Sequence, residues 1–286
     1  MKIEMPSGRY IVAVSGGVDS VVLLDLMRLY PDVKITVAHY DHGIRANSTA
    51  DKVFVYDLTR RYKLPFVYDQ GNLGVGASEA VARRARYAFL RRAATAIHAD
   101  AIVTAHHQDD VLETAIINLL RGTGRKGLSS LTSGEGIIRP LLRVPKSEII
   151  DYAKRHGLHW REDNTNDDTT YLRNHVRHNI LPGWSEEDKR KLLAMSWQMQ
   201  DLNSEIDDIL RLNLRPELQR SWFVLLPHRV ATEVMAAWLR NQGIRDFDRV
   251  GIERLTVAGK TATAGKAIDI TRGHRMVVGK DSLALQ

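Results

Sequence analysis

The chain has 286 residues, of which 44% are hydrophobic and 26% are charged, a balance typical of a folded protein with room for one large and one small domain. Its formal net charge of +7 favours polyanionic partners, above all nucleic acid, although a basic surface that only maintains solubility would give the same value. Cysteine is absent, which excludes disulfides, cysteine-ligated zinc, iron–sulfur clusters and thiol catalysis within this sequence.

The first nine residues do not resemble a secretory signal, because they include Glu4 and Pro6 and the apolar run behind them stops at a glycine turn. No apolar stretch reaches the roughly 20 residues that span a bilayer. We therefore expect a cytoplasmic protein with no membrane partner. The sequence leaves the oligomeric state open, and a homodimer is one alternative.

Short apolar runs alternate with helical patterns through the first two thirds of the chain, which predicts an α/β fold with a doubly wound parallel sheet. The predicted strands are Arg9–Ser15, Val33–Tyr40, Leu64–Asp69 and Ala101–His106. The predicted helices are Ser20–Leu29, Thr49–Arg61, Ser78–Ile97, Asp110–Leu120 and a capped helix over Ser147–Gly157. Ligands of such sheets bind beyond the carboxyl ends of the strands, where we expect Ser15, His39 and His106 to converge.

The composition changes after Pro182-Gly183, and we place a domain boundary near residue 185. Residues 1–185 would form the catalytic, nucleotide-binding domain, and residues 186–286 a smaller, mostly helical domain. The predicted elements of this second domain are helices over Lys189–Leu214, Pro227–Gln242 and Asp246–Ala258, and a small hairpin within Lys266–Leu285.

The hexapeptide Ser15–Ser20, SGGVDS, lies between the first predicted strand and the first predicted helix. Such a junction points backbone N–H groups and the positive end of the helix at one spot, which favours a phosphate. The two glycines permit close backbone approach, and the two serines add hydroxyl groups. Asp19 beside a phosphate needs a cation between them, and Mg²⁺ is the cation we expect. The alternative is an ordinary strand–turn–helix junction with a serine cap.

In this setting the hexapeptide resembles the PP-loop of the N-type ATP pyrophosphatases. A Walker A loop, G-x-x-x-x-G-K-S/T, is excluded, because the segment with the right ending, Gly259-Lys260-Thr261, has Arg254 where the first glycine is required. The resemblance implies that the loop holds the β,γ-pyrophosphate of ATP as a leaving group and that a substrate is adenylated. The residues expected to bind the nucleotide are Ser15, Gly16, Gly17, Val18, Asp19, Ser20, His39 and Arg86.

A second cluster straddles the end of the fourth predicted strand and the start of the next helix. His106 precedes Asp110 and Glu113, which are three residues apart and therefore share one helix face. Two carboxylates at the nucleotide crevice could hold a cation or an incoming amine such as that of a lysine substrate. The alternative is helix capping, with Asp110 as the N-cap and Glu113 completing a capping box.

Basic residues supply the remaining candidates. Arg86 shares a predicted helix face with Glu79, Arg83 and Tyr87, either as a phosphate ligand or as part of a solvated charged surface. Residues 121–128 are glycine-rich and basic, and they form either the exit of a helix or a loop that meets RNA phosphates. The residues expected to contact RNA are Arg45, Arg83, Arg121, Arg125 and Lys126.

These motifs occur together and in order, and over about residues 9–180 the chain resembles the tRNA(Ile)-lysidine synthetases. The segments that carry the resemblance are Ser15–Ser20, Asp41–Arg45, Glu79–Tyr87, Ala105–Glu113, Arg121–Leu128, Arg139–Leu142 and residues 162–174. The part after residue 185 matches the family's small tRNA-contacting domain more loosely. Larger members have one more C-terminal domain, for which we expect this chain to be too short.

The resemblance implies a two-step reaction on the wobble cytidine, position 34, of the isoleucine tRNA with a CAU anticodon. ATP adenylates O2 of the cytosine and pyrophosphate leaves, and the ε-amine of free L-lysine then attacks C2 and expels AMP. The implied catalytic residues are Asp19, His106, Asp110 and Glu113, with Asp19 also the Mg²⁺ ligand. The residues implied to hold the lysine are Asp110, Glu113, Arg173 and Arg177.

Three alternatives stay open at this point: a PP-loop synthetase or amidotransferase acting on a small molecule, a tRNA thiolase, and a catalytically silent nucleotide-sensing or RNA-binding protein. The thiolases generally carry sulfur or a cluster on cysteines, which this sequence lacks. A silent protein is disfavoured by the intact Asp19, Asp110 and Glu113.

Overall fold

The computed structural model describes residues 1–43, 48–71, 79–122, 125–129, 131–134, 136–162, 172–244, 246–271 and 273–286, without the side chains of Ser48, Thr49, Glu79 and Arg125. These residues form two compact units, Met1–Gln200 and Asp201–Gln286. The division falls between Gln200 and Asp201, within the long helix Glu186–Asn213, and therefore later in the chain than the boundary predicted near residue 185.

The first unit is built on five strands: β1 (Gly8–Ala13), β2 (Val33–Asp41), β3 (Phe66–Gln70), β4 (Ala101–Val103) and β5 (Ile137–Ile138). They form one sheet in the order β3-β2-β1-β4-β5, and every pairing is parallel. The chain adds β2 and β3 on one side of β1 and then crosses over to add β4 and β5 on the other. Parallel sheets bind ligands where the strand order reverses in this way, beyond the carboxyl ends of β1 and β4.

The helices of this unit are α1 (Val18–Met27), α2 (Ser48–Arg61), α3 (Glu79–Ala96), α4 (Gln108–Leu120), α5 (Arg125–Leu128), α6 (Lys146–Arg155), α7 (Leu172–His175) and the first part of α8 (Glu186–Asn213). A π-helical turn, Val176–Ile180, and a 3₁₀ turn, Leu181–Gly183, lie between α7 and α8.

Helices cover both faces of the sheet. Successive side chains of a strand point to opposite faces, so each strand contributes to a core on either side. Tyr10 and Val12 of β1 pack in one core with residues of α1, α2 and α6. Ile11, between them, packs in a second core with residues of α3. The predicted doubly wound α/β fold is therefore confirmed.

Several elements end up to three residues away from their predicted limits, and two of these differences affect the candidate site. Strand β4 ends at Val103 and not at His106, and α4 begins at Gln108 and not at Asp110. The reason is local: His107 caps the helix and therefore sets its start two residues earlier. The side chains that precede α4 consequently lie on a short connection between the carboxyl end of β4 and the start of α4.

The second unit contains the remainder of α8 together with α9 (Arg220–Leu225), α10 (His228–Asn241) and α11 (Arg249–Thr261). Four short strands, β6 (Leu218–Gln219), β7 (Ala267–Thr271), β8 (His274–Val278) and β9 (Ser282–Leu285), form an antiparallel sheet in the order β6-β9-β8-β7. Phe223, Trp238 and Leu255 are fully buried in its core. The predicted helices and hairpin are confirmed, and α9 and β6 are elements that the sequence pattern did not indicate. Across both units, no helix of the described residues has the length and apolarity needed to cross a bilayer.

Candidate active site

The loop between β1 and α1 is shaped by its own serine. The Ser20 hydroxyl accepts hydrogen bonds from the backbone N–H groups of Ser15 and Gly16, both at 3.2 Å, and donates to the Gly17 carbonyl at 2.9 Å. Gly16 has a φ of +99°, a conformation that side chains other than glycine rarely adopt. Ser20 is only 5% exposed, and its buried hydroxyl stabilises the bend of the loop through these three hydrogen bonds.

Replacing Ser20 with Ala is expected to lower the free energy of unfolding by about 1–3 kcal/mol, because the amide donors of the loop lose their acceptor. The same change should weaken ATP binding, since the loop is no longer held in its bend. Urea denaturation and calorimetric titration with ATP measure the two effects. Ser15→Ala is the matched control for stability, because the exposed Ser15 hydroxyl makes two long contacts, 3.4 Å from the Gly17 N–H and 3.3 Å from the Ser20 hydroxyl. An equal loss of stability in the two variants would contradict this role of Ser20.

Asp19, at the first turn of α1, lies where three helices begin. Its Oδ1 is 2.5 Å from Nζ of Lys146, the first residue of α6. Its Oδ2 is 3.7 Å from Nε2 of His107, which precedes α4. The carboxylate remains 28% exposed and is therefore accessible from solvent. Lys146 was not among the residues predicted from the sequence, and the only signal for it was a basic residue directly before a predicted helix.

His107, and not Asp110, is the N-cap of α4. Its Nδ1 accepts a hydrogen bond from the Asp109 backbone N–H at 3.3 Å, and Asp110 Oδ2 accepts from the His107 backbone N–H at 2.9 Å. The capping reading of the sequence was therefore wrong about which residues take part, since Glu113 has no share in the box. With Nδ1 acting as acceptor, this hydrogen bonding assigns the ring proton to Nε2.

The same Nε2 joins two parts of the site. It lies 3.7 Å from Asp19 Oδ2 and 3.6 Å from Asp110 Oδ2. His107 is buried, with 6% of its surface exposed. A single buried imidazole N–H thus faces both the acid of the loop and the first acid of α4.

The acids and arginines predicted for the lysine site are brought together by the structure. Glu113 is 1% exposed and forms a two-point ion pair with Arg177, with Nε–Oε1 at 2.7 Å and Nη2–Oε2 at 3.1 Å. Arg173 lies 3.8 Å from Asp110 Oδ1 and 3.9 Å from Glu113 Oε2. Since Arg177 occupies both oxygens of Glu113, this carboxylate orients Arg177, and Asp110 is the more accessible acid for an amine.

Burial acts on the two acids in the same direction, but their neighbours decide the outcome. Burial raises the pKa of Glu113 above its usual value, and Arg177 offsets this only in part. Burial also acts to raise the pKa of Asp110, yet the neighbouring His107, His106 and Arg173 outweigh it and the pKa is lowered. Asp110 is therefore ionised at neutral pH.

His106 has a separate environment from its neighbour. Its Nδ1 lies 2.9 Å from the Thr104 hydroxyl. Burial lowers the pKa of His106 to about 3, because Arg139, Arg86 and Arg83 add to the penalty and only Asp110 opposes it. His106 is thus a neutral imidazole at physiological pH, suited to hydrogen bonding and not to holding a positive charge.

This shift gives a pH dependence of stability. Because the folded-state pKa of His106 lies below the usual 6.5, the unfolded chain binds a proton between about pH 6.5 and pH 3 that the folded protein does not. The free energy of unfolding should fall as the pH is lowered through this window, and His106→Gln should flatten the fall. Urea denaturation of both proteins at several pH values measures the difference. An NMR titration in which the His106 ring ionises near pH 6 would contradict the expectation.

Three guanidinium groups surround one tyrosine near His106. The Arg83 and Arg86 guanidiniums lie 4.9 Å and 5.4 Å from the centre of the Tyr87 ring. Burial acts to raise the pKa of Tyr87, but Arg83, Arg86 and Arg139 outweigh it, so that the pKa is lowered. The Nε atoms of Arg86 and Arg139 are buried and have no hydrogen-bond partner within the described part of the chain. The cluster is therefore a positive patch with unused donors, and Arg139 is a member that sequence reasoning did not select.

His39 is hydrogen-bonded to Val14, the residue that directly precedes the loop. It is 4% exposed, its Nδ1 donates to the Val14 carbonyl at 2.8 Å, and its ring stacks on Tyr68. Burial lowers its pKa, so the ring is neutral. The expected contact with the nucleotide could then come only from Nε2.

The residues predicted to contact RNA are not all placed. Arg45 and the side chain of Arg125 lie outside the described residues. Arg121 is exposed at the end of α4, Lys126 is half-buried in α5, and Arg83 belongs to the cluster around Tyr87.

In the described ranges, no three His, Asp or Glu side chains form a group that could hold a metal ion. A cation at Asp19 would therefore need most of its ligands from the substrate and water.

A family model described as a PP-loop domain matches residues 2–184. Proteins named tRNA(Ile)-lysidine synthase are among the curated relatives. The one from Thermotoga sp. (strain RQ2) is 40% identical over 182 residues, which are 60% of this chain and 44% of the relative. The one from Symbiobacterium thermophilum is 40% identical over 219 residues, which are 72% of this chain and 45% of the relative. The chain thus spans less than half the length of these relatives.

A solved structure gives an independent comparison of the fold. U34-tRNA thiolase NcsA from Methanococcus maripaludis superposes with a TM-score of 0.56 at 16% sequence identity, over 69% of this chain and 73% of that one. At this identity the similarity supports the fold alone.

Proposed function

The chain belongs to the PP-loop domain family, and on this premise we propose that it is an ATP-dependent tRNA(Ile)-lysidine synthetase. It would ligate free L-lysine to C2 of cytidine 34 in the isoleucine tRNA with a CAU anticodon. Relatives of that name at 40% identity support the proposal. The observation that carries it is the position of His107 Nε2, which lies 3.7 Å from the loop acid Asp19 and 3.6 Å from Asp110, the acid proposed to bind the amine.

The first step would take place at the loop. O2 of the cytosine attacks the α-phosphorus, the bond from the α-phosphorus to the bridging oxygen breaks, and pyrophosphate leaves with the electron pair. The backbone N–H groups in the first turn of α1, which no side chain caps, and the positive end of this helix would favour the phosphates electrostatically. In this fold a nucleotide would lie beyond the carboxyl ends of β1 and β4, where the strand order reverses.

A divalent cation fits the site at Asp19, because its carboxylate is partly exposed at the edge of the loop. Mg²⁺ is commonly bound by one or two carboxylates together with substrate phosphates. When bound, Mg²⁺ would offset the negative charge that develops on the departing pyrophosphate.

The second step would use the residues of α4 and the turn after α7. Asp110 would accept hydrogen bonds from the lysine amine, and Arg173 and Arg177 would face the lysine carboxylate. The neutral ε-amine forms the bond to C2, the C2–O2 bond breaks, and AMP leaves with that oxygen. The amine proton passes to a base, for which the ionised Asp110 is the adjacent candidate, while the neutral His106 would serve as a hydrogen-bond partner.

The RNA would have to present its wobble base unstacked. Single-stranded loops are what sequence-specific RNA-binding proteins generally read, and a splayed base can enter a crevice. Arg121 and Lys126 at the end of α4 and in α5 would then contact the RNA backbone. We propose a cytoplasmic location, where ATP, tRNA and free lysine would be available together, and a homodimer is the assembly to test by light scattering.

The test is a direct one. The protein is incubated with ATP, Mg²⁺, labelled lysine and the CAU-anticodon isoleucine tRNA, and RNA-linked lysine is counted. A tRNA with uridine at position 34 is the matched control and should accept none. If no lysine becomes linked to the RNA while pyrophosphate is still released from ATP, the protein adenylates another substrate and the proposal is wrong.

A further inference from the structure

Lys146 occupies a position that the stability of its own helix does not explain. It is the first residue of α6, where the helix dipole disfavours a positive charge. The same helix carries Glu148 in its first turn and Lys154 and Arg155 in its last, which is the favourable arrangement. Lys146 is thus the exception on this helix, and its ammonium is directed at Asp19 of the loop, 2.5 Å away.

The backbone fixes this lysine in place. Its N–H donates to Asp109 Oδ1 at 3.4 Å, and the Gln108 N–H donates to the Val144 carbonyl at 3.0 Å. These bonds tie the start of α6 to the start of α4, at the edge where the loop lies. The Lys146 side chain is 32% exposed, so a ligand of the loop can reach it from solvent.

We propose that Lys146 is a pyrophosphate-binding residue of the loop, and that its ammonium exchanges Asp19 for the leaving group of ATP. The inference rests on the proposed function only in requiring that pyrophosphate leaves from this loop. As the bond to the α-phosphorus breaks, the electron pair stays on the bridging oxygen of the pyrophosphate. The ammonium stabilises that charge as a hydrogen-bond donor, and no proton transfer is needed.

The first test is the binding of inorganic pyrophosphate and of ATP to the full chain, by calorimetry. Lys146→Gln should weaken pyrophosphate binding about 10- to 100-fold, which is the range expected for losing one hydrogen bond to a charged group. Lys146→Arg should restore most of the affinity, because a guanidinium supplies the same charge. Lys154→Gln is the matched control, since Lys154 is exposed at the other end of the same helix, and it should bind normally.

A second measurement does not depend on the folding of a variant. The wild-type protein is acetylated with and without inorganic pyrophosphate, and modification at each lysine is read by mass spectrometry. Pyrophosphate should protect Lys146 several-fold and leave Lys154 unchanged. Equal acetylation of Lys146 in both samples, or unchanged pyrophosphate affinity of a folded Lys146→Gln protein, would overturn the inference and reduce the contact with Asp19 to a structural ion pair.

The two proposals fail in different ways. If wild-type protein binds pyrophosphate through Lys146 but never links lysine to tRNA, the proposed function fails and Lys146 keeps its role. If lysine transfer is normal and Lys146→Gln binds pyrophosphate like the wild type, only the inference about Lys146 fails.

Discussion

Asp19→Asn is expected to slow the release of pyrophosphate from ATP by about 10²- to 10³-fold. The change keeps the shape of the side chain but removes the negative charge that faces Lys146 and His107. In the proposed function this carboxylate would hold the Mg²⁺ that offsets the negative charge on the departing pyrophosphate, and losing such a stabilising charge typically has an effect of this size. A coupled enzymatic assay for pyrophosphate, with saturating tRNA and lysine, measures the rate.

The matched control for this prediction is Asp151→Asn, which removes an exposed carboxylate from α6 and should leave the rate unchanged. Far-UV circular dichroism and thermal unfolding show whether the Asp19 variant keeps its fold. A folded Asp19→Asn protein that releases pyrophosphate at more than a tenth of the wild-type rate would remove Asp19 from the catalytic residues.

Glu113→Ala is expected to lower the free energy of unfolding by about 3 kcal/mol, because it leaves the Arg177 guanidinium without its buried partner. Glu113→Gln should cost less, since an amide oxygen can still accept one hydrogen bond from Arg177. Urea denaturation of the single variants, and of the double variant with Arg177→Met, gives the coupling energy of the pair. A coupling energy near zero would show that the pair contributes nothing to stability.

Arg177→Met tests the same ion pair by removing its positive charge. The variant leaves the Glu113 carboxylate buried without its counter-charge, and burial already raises the pKa of Glu113. A raised folded-state pKa means that the folded protein binds a proton that the unfolded chain has lost, so stability falls as the pH rises above about 4.5. The variant should therefore be more destabilised at about pH 7.5 than at about pH 5, and the opposite trend would contradict the assignment.

Local sequence patterns predicted four of the five strands of the parallel sheet because these strands are short apolar runs, whereas the two-residue strand β5 was not predicted. The run of β1 is followed at once by glycines, and its alternation of Tyr10, Ile11 and Val12 serves both faces of the sheet. The hairpin of the second unit was visible for the same reason. Strand β6 has only two residues and exists through its pairing with β9, so the sequence gives no periodic signal for it.

The sequence predicted several residues of the candidate site but few of the contacts between them. Asp110, Glu113, Arg173 and Arg177 were selected from the sequence, and the structure brings them together. Lys146 meets Asp19 across 127 residues of chain, a contact that follows from the packing of α6 and from no local pattern. Of the adjacent histidines, His106 was selected, whereas the choice of His107 as cap depends on a helix end, which is the least certain part of any such prediction.

The shared imidazole N–H at the start of α4 has a consequence for the order of binding. The N–H lies 3.7 Å from Asp19 and 3.6 Å from Asp110 and can close to hydrogen-bond distance with only one of them, so a ligand that draws Asp19 away would leave His107 Nε2 to Asp110, and an amine at Asp110 would do the reverse. Two such ligands are thermodynamically coupled, and the coupling is reciprocal. Nucleotide and amine would then change each other's dissociation constants by one common factor, whichever of them arrives first.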